Sequence, residues 1–199
     1  MILEASRPKE REKEERHLSK LKQETIEWVI AITIAVAIVL VVRLFIVTNY
    51  EVSGKSMMPT LSDQDRVLIS KISPINRMDI IIFNNGEEDF VKRVIGVPGD
   101  TIKYENDELF VNGKKVDEPF LKGNIAYNNP DEHFTEDFEL YDLTGYKTVP
   151  KGKLFVLGDN RMASLDSRYF HFIDKDEVIG EVKMKYLPIA DATFNFSSE

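Results

Sequence analysis

Three short segments of the 199-residue chain concentrate the side chains from which a catalytic site could be built. The first, residues 52–61, places Ser56 between a glycine-bearing stretch and Pro59, a setting that can present a hydroxyl on a fixed turn. A polar loop with two methionines that dip into a membrane is the simpler interpretation of this segment taken alone. If the segment is catalytic, the chemistry that it supplies is nucleophilic attack by the hydroxyl of Ser56.

The second segment, residues 89–100, holds Lys92 inside a predicted strand. Phe90 and Val94 share its face, because side chains alternate along a strand. A lysine flanked in this way is either a charge that protects a sheet edge or a desolvated base with a lowered pKa. Edge protection is the more common of the two.

The third segment, residues 158–168, follows a predicted strand and is too rich in hydrogen-bonding side chains for a simple turn. Its candidates are Asp159, Arg161, Ser164, Asp166 and Arg168. An Asp-Asn cap and a local Asp166–Arg168 ion pair explain the segment without any catalysis.

Composition excludes several other chemistries. The chain carries 26 Lys and Arg against 34 Asp and Glu, a net charge of -8, with no basic block, so we expect no nucleic-acid partner. It has no cysteine, and His17, His133 and His171 lack the spacing of metal ligands, so we expect no metal and no cofactor. The G-x-S-x-G, H-E-x-x-H and Walker motifs are absent, and S-x-x-K occurs only at residues 6–9 and 19–22.

An apolar stretch near the start predicts one membrane span. Residues 28–42 are uncharged, and the stretch 28–47 would form a helix about 30 Å long, which matches the bilayer core. Arg43 lies one turn from the end, and Trp28 and Tyr50 bracket the span as interfacial anchors. A buried helix of a soluble protein is a weak alternative, because residues 28–42 have no polar face. A cleaved signal peptide is also disfavoured, because no cleavage motif follows the apolar stretch.

These features divide the chain into a charged tail (residues 1–25), a transmembrane helix (26–48) and an outer domain (49–199). Seven Lys and Arg residues precede the span, whereas only Lys55 and Arg66 occur in the twenty residues after it. The positive-inside rule therefore predicts a single-pass protein of the cell membrane with a cytoplasmic N-terminus and an extracytoplasmic domain. The tail, with opposite charges such as Glu12 and Arg16 one turn apart, predicts a solvated helix.

The outer domain is predicted to be mostly β, a barrel or sandwich of short strands. Asn112-Gly113 indicates a type I′ hairpin. Residues 117–149 are polar and less regular, which predicts a small cap inserted in the sheet. The predicted strands are residues 66–70, 79–83, 90–95, 101–104, 109–111, 153–157 and 177–186.

At this point the sequence resembles the type I signal peptidases, membrane-bound Ser/Lys endopeptidases, in the short form of Gram-positive bacteria. The motifs that carry the resemblance are S-M-x-P-T at residues 56–60, R-x-D-I-x-x-F at 77–83, V-K-R-V-I-G-x-P-G-D at 91–100 and G-D-N-R-x-x-S-x-D-S-R at 158–168. Their order agrees, and the resemblance covers about residues 25–187. It implies an enzyme that removes signal peptides from exported preproteins.

The resemblance also implies roles for particular residues. Ser56 would be the nucleophile, Lys92 the general base, and Ser164 the serine that orients the lysine. Asp166 and Arg168 would form a structural ion pair.

Two further roles follow from the same resemblance. Asp159 with Arg161 would shape the turn beside the site. Shallow pockets for small substrate residues at positions −1 and −3 would be lined by Val52, Met57, Phe90 and Val91, beside which the substrate adds as an extended strand.

One departure and two alternatives stay open. Some family members carry a serine two residues before the nucleophile as a second oxyanion donor, and here that residue is Gly54. A Ser/Lys peptidase of the self-cleaving repressor type is one alternative, which the membrane span and residues 158–168 disfavour. The other is an anchored β-domain that binds signal peptides without cutting them, which the presence of both Ser56 and Lys92 disfavours.

Overall fold

The computed structural model describes residues 7–123, 133–194 and 196, and the chain divides into two compact units, Met1–Phe45 and Ile46–Glu199. The described part of the first unit is one helix, α1 (Arg7–Phe45). Within α1, Lys20–Val42 is long and apolar enough to cross a membrane, as the sequence predicts. The charged stretch before it continues the same helix, and Glu12 and Arg16 approach to 3.9 Å across one turn.

The helix ends before the boundary predicted at residue 48. A strand, β1 (Val47–Glu51), starts almost at once and pairs antiparallel with β2 (Arg66–Ser70). The last two residues of the predicted span, Val47 and Thr48, therefore belong to the sheet. Periodicity misses this change because a short β-branched run suits a strand as well as a membrane helix.

Antiparallel strands dominate the second unit, which confirms the predicted mostly-β class. The larger sheet has the order β1-β2-β11-β3-β4-β9-β10, and the smaller sheet β7-β6-β5-β8. Two short helices, α2 (Leu140–Thr144) and α3 (Ser167–Phe170), lie in the connections. The remaining strands are β3 (Ile80–Asn84), β4 (Asp89–Gly96), β5 (Ile102–Glu105), β6 (Glu108–Val111), β7 (Lys114–Val116), β8 (Phe138–Glu139), β9 (Lys153–Leu157), β10 (Ile173–Asp174) and β11 (Val178–Leu187).

Every predicted strand is present, with each end within one residue of its predicted position. The hairpin between β6 and β7 is confirmed, because Asn112 and Gly113 both have positive φ and Val111 lies opposite Lys114. Strand β7 was implied only by the hairpin, whereas β1, β8 and β10 were not predicted, and the last two have only two residues each.

The larger sheet curls strongly. The Tyr50 hydroxyl of β1 donates to Asp89 Oδ2 of β4 at 3.1 Å, although three strands separate β1 from β4 in the sheet order. This curvature brings the loop after β1 towards the middle of β4. The apolar cluster inside the curve comprises Val52, Met57, Leu61, Val67, Ile69, Ile80, Ile82, Val91 and Val182.

The predicted insertion is only partly described, because residues 124–132 lie outside the described residues. Its described parts, 117–123 and 133–149, form a 3₁₀ helix (Pro119–Gly123), β8 and α2. Strand β8 pairs with β5 and so extends the smaller sheet.

Candidate active site

The first and second candidate segments meet at Ser56 and Lys92. Ser56 lies in the loop after β1, Lys92 lies in the middle of β4, and Lys92 Nζ is 2.8 Å from Ser56 Oγ. Lys92 is 2% exposed, whereas Ser56 is half-buried. The lysine also donates to the carbonyl oxygen of Val91 at 3.1 Å. That second contact holds the amine in place while it faces the serine hydroxyl.

The surroundings of Lys92 favour its neutral form. Burial lowers the pKa of Lys92 to about 8, although the charges of Asp166, Asp159 and Glu88 act in the opposite direction. Nζ lies 5.3 Å from the centre of the Phe90 ring, which belongs to the apolar surroundings predicted from the alternation of β4. At pH 7 roughly a tenth of such a lysine is neutral, against well under 0.1% of an ordinary one.

The third segment approaches Ser56 through its backbone. The Asn160 N–H donates to the Ser56 carbonyl oxygen at 2.9 Å, and Asn160 Nδ2 donates to the Lys55 carbonyl oxygen at 3.1 Å. A Cβ atom on Gly158 would lie 2.5 Å from the Ser56 carbonyl oxygen and 2.2 Å from Ser164 Oγ. Only glycine fits between these groups, so the turn after β9 and the serine loop are packed directly together.

The predicted Asp166–Arg168 ion pair is present. Asp166 is fully buried and accepts from Arg168 Nε at 2.9 Å and from Nη2 at 3.0 Å. The same carboxylate accepts the Gly158 N–H at 3.0 Å. Paired in this way, Asp166 fixes one side of the turn that contacts Ser56.

Asp159 and Arg161, which the resemblance implies shape the turn beside the site, each pair with a different distant side chain. Asp159 accepts two hydrogen bonds from Arg93, at 2.9 and 2.7 Å, and one from the Thr60 hydroxyl at 2.5 Å. Arg161 begins a 3₁₀ helix (Arg161–Ala163), and its side chain forms an ion pair with Glu118.

Sequence reasoning missed Arg93 and Glu118. A signal existed for Arg93, since a charge in the middle of an apolar strand indicates a buried partner.

Ser164 lies beside the site without the contact that the resemblance implies. Its side chain is buried next to Gly158, and its Oγ has no hydrogen-bond partner among the described residues. A hydrogen bond from Ser164 to Lys92 is therefore not made in this arrangement. The role of Ser164 in orienting the lysine stays a prediction.

The four predicted pocket residues separate into two groups. Val52, Met57 and Val91 are packed together inside the curved sheet. Phe90 lies on the opposite face of β4 from Val91, where its ring packs against Phe83. The strand alternation that places Phe90 beside Lys92 thus removes it from the apolar cluster of the other three.

Gly54 has the left-handed backbone that favours glycine, with φ +88°. Its N–H donates to Asp63 Oδ1 at 2.8 Å, and open space surrounds the position where a Cβ atom would be. In residues 7–123, 133–194 and 196, no group of three or more His, Asp or Glu side chains is placed to hold a metal ion.

A pair such as Ser56 and Lys92 is one arrangement by which a serine peptidase can work, since a serine hydroxyl becomes nucleophilic when a neutral base takes its proton. Residues 25–187 match the family described as signal peptidase, peptidase S26. The chain therefore belongs to the signal peptidase family, and as a type I signal peptidase it cleaves signal peptides from exported proteins.

Individual relatives agree. Signal peptidase I of Bacillus caldolyticus is 49% identical over 170 residues, which cover 82% of this chain and 92% of that protein. Signal peptidase IB of Staphylococcus aureus strain MRSA252 is 43% identical over 188 residues, which cover 90% of this chain and 98% of that protein. A crystal structure of a signal peptidase I from Enterococcus faecalis V583 is 42% identical, with a TM-score of 0.50, and the match covers 55% of this chain and 97% of that one.

Proposed function

We propose that Ser56 is the nucleophile and Lys92 the general base with which this membrane-anchored endopeptidase cleaves preproteins. The observation that carries the proposal is the 2.8 Å contact between Ser56 Oγ and the buried Lys92 Nζ. A buried lysine with a pKa near 8 matches the requirement for a base that works near neutral pH.

The reaction follows from this pair. Neutral Lys92 takes the hydroxyl proton as Ser56 Oγ attacks the scissile carbonyl, and the resulting ammonium gives the proton to the leaving amine. The signal peptide is then joined to Ser56 as an acyl ester. Water attacks this ester while Lys92 again accepts a proton, and the ammonium returns that proton to Ser56 Oγ as the acyl bond breaks and the signal peptide leaves with a free carboxyl group.

The negative oxygen of the tetrahedral intermediate needs hydrogen-bond donors. The Ser56 N–H supplies one in this proposal. Gly54 has no hydroxyl, so this position offers no second side-chain donor.

Substrate specificity in this proposal rests on apolar side chains beside the nucleophile. Val52, Met57 and Val91 are 3%, 1% and 6% exposed, so they leave room only for shallow depressions. Such depressions accept small residues at substrate positions −1 and −3. The substrate would lie extended beside β1 and the start of β4. Main-chain hydrogen bonds there supply affinity that does not depend on the side chains of the substrate.

We further propose that the N-terminus is cytoplasmic and that residues 49–199 lie outside. The support is the excess of Lys and Arg before α1 becomes apolar, compared with Lys55 and Arg66 after it. Protease added to intact spheroplasts should digest the outer domain and leave the tail protected. Protection of the large domain would reverse the orientation.

Cleavage by the full-length protein in detergent tests the catalytic assignment. With a preprotein substrate, Ser56→Ala and Lys92→Met should each abolish cleavage. Ser19→Ala and Lys22→Met are matched controls, because they make the same two substitutions at a Ser-x-x-Lys sequence in the tail, and both variants should cleave normally. Cleavage by Ser56→Ala would overturn the assignment, and binding without cleavage by the unaltered protein would favour the non-enzymatic alternative.

A further inference from the structure

Tyr104, Glu118 and Arg161 form a buried polar cluster between the smaller sheet and the segment beside Ser56. Tyr104 lies in β5, Glu118 follows β7, and Arg161 follows β9. Their exposed fractions are 1%, 8% and 2%. The Tyr104 hydroxyl donates to Glu118 Oε2 at 2.5 Å, Arg161 Nη2 donates to Glu118 Oε1 at 2.5 Å, and Arg161 Nη1 donates to the Tyr104 hydroxyl oxygen. The three side chains satisfy one another away from water.

Glu118 supplies the charge that keeps Arg161 in this buried position. A guanidinium taken out of water is costly unless an anion pairs with it. Burial lowers the pKa of Arg161, but Glu118, Tyr104 and Asp159 together more than offset this, and the net result is a raised pKa. Arg161 therefore stays charged, and its remaining donors are directed by that pairing.

One of those donors contacts the turn that packs against Ser56. Arg161 Nε donates to the Gly158 carbonyl oxygen at 3.0 Å, while Asp166 accepts the Gly158 N–H at 3.0 Å. Both polar groups of Gly158 are thus held by buried charged side chains. Gly158 in turn is packed so closely against the Ser56 carbonyl that no Cβ atom fits between them.

We infer that Glu118 and Tyr104 are positioning residues for Ser56, acting through Arg161 and Gly158. The inference rests on the proposed role of Ser56 as the nucleophile. It makes the smaller sheet a part of the support for the catalytic serine. A displacement of about 1 Å in a reacting group can reduce turnover about a hundredfold, so a network remote from the chemistry can control kcat.

Tyr104→Phe and Glu118→Gln in the full-length protein test this inference. Phenylalanine removes only the hydroxyl that joins the other two side chains. Glutamine keeps an acceptor for Arg161 but removes the charge. We expect kcat for preprotein cleavage to fall between about ten- and a hundredfold, with KM nearly unchanged, when each variant is assayed well below its melting temperature.

Asp100→Asn is the matched control. Asp100 is a buried carboxylate at the start of the smaller sheet, and it pairs with Arg77 at 2.9 Å rather than with residues 158–168. This variant should lose thermal stability and keep its kcat. The inference is overturned if both cluster variants keep a normal kcat, or if Asp100→Asn loses as much kcat as they do, so that the loss only follows the melting temperature. Cleavage by Ser56→Ala would instead overturn the proposed function, so the two failures are distinguishable.

Discussion

Arg93 and Asp159 form a fully buried ion pair that joins the strand of Lys92 to the turn beside Ser56. Arg93 Nε lies 2.9 Å from Asp159 Oδ1, Nη2 lies 2.7 Å from Oδ2, and neither side chain is exposed. Asp159 also accepts from the Thr60 hydroxyl, four residues after the serine. The pair therefore links all three segments that carry candidate chemistry.

Breaking this pair should destabilise the protein strongly. Arg93→Met leaves Asp159 charged and unpaired in the interior, at an expected cost of about 3–5 kcal/mol in the free energy of unfolding. Denaturant titration measures the cost. Lys153→Met is the matched control, because Lys153 pairs with Asp174 at 2.8 Å on the surface, and it should have little effect. Equal effects of the two substitutions would show that burial does not determine the strength of the Arg93 pair.

Activity should depend on the protonation of Lys92. In the proposed mechanism the neutral amine is the base, so kcat/KM should rise with pH through about 8, well below the value of 10.4 for an ordinary lysine. A profile that is flat between pH 6 and 9 would contradict this assignment.

Lys92→Arg should be inactive at every pH, because a guanidinium keeps its charge but cannot give up its proton. Preprotein cleavage measures the loss, and normal melting of the variant would confirm that it folds. Appreciable cleavage would mean that another group is the base, and His171, which is exposed in this structure, would be the first residue to test.

The lowered pKa of Lys92 also predicts a stability effect with a definite sign. A base whose pKa falls on folding weakens the folded state wherever the unfolded lysine is protonated. The penalty is complete below about pH 8 and disappears above about pH 10.4, and the shift corresponds to about 3 kcal/mol. Lys92→Met should therefore raise the free energy of unfolding at pH 7 but not at pH 11. A stabilisation that is the same at both pH values would have another cause.

The Asp166–Arg168 pair should support both folding and turnover. Asp166→Ala leaves the mostly buried Arg168 unpaired and frees the N–H of Gly158, which packs against Ser56. We expect a loss of about 3–5 kcal/mol in the free energy of unfolding and a lower kcat. Thermal unfolding and preprotein cleavage measure the two effects. An unchanged melting temperature together with full activity would show that the Asp166–Arg168 pair contributes to neither folding nor turnover.

Gly54 allows a direct test of the oxyanion site. Gly54→Ser restores the hydroxyl that some family members carry, in open space but at φ +88°, where a side chain costs about 1–2 kcal/mol. We expect kcat to rise while the free energy of unfolding falls by about this amount. Gly54→Ala has the same backbone cost without the hydroxyl and should lower stability alone. An unchanged kcat in a folded Gly54→Ser variant would indicate that another donor already fills the site.

Much of this protein could be predicted from local patterns. Alternation identified the strands that carry the site and placed Phe90 and Lys92 on one face, and Asn112-Gly113 identified the hairpin. The apolar stretch of α1 was evident because a membrane helix needs about 20 apolar residues in succession. The motifs around Ser56 and Lys92 were sufficient to name the pair before any distance was known.

What the sequence could not decide was which distant side chains pair. Asp159 faces Arg93, 66 residues earlier, and Arg161 faces Glu118, 43 residues earlier. Phe90 lies away from the other three predicted pocket residues, and Val47 joins a strand where the pattern predicted the membrane span. These outcomes depend on the curvature and register of the sheets, which bring residues together according to the packing of the whole domain, whereas periodicity reports only the conformation of neighbours along the chain.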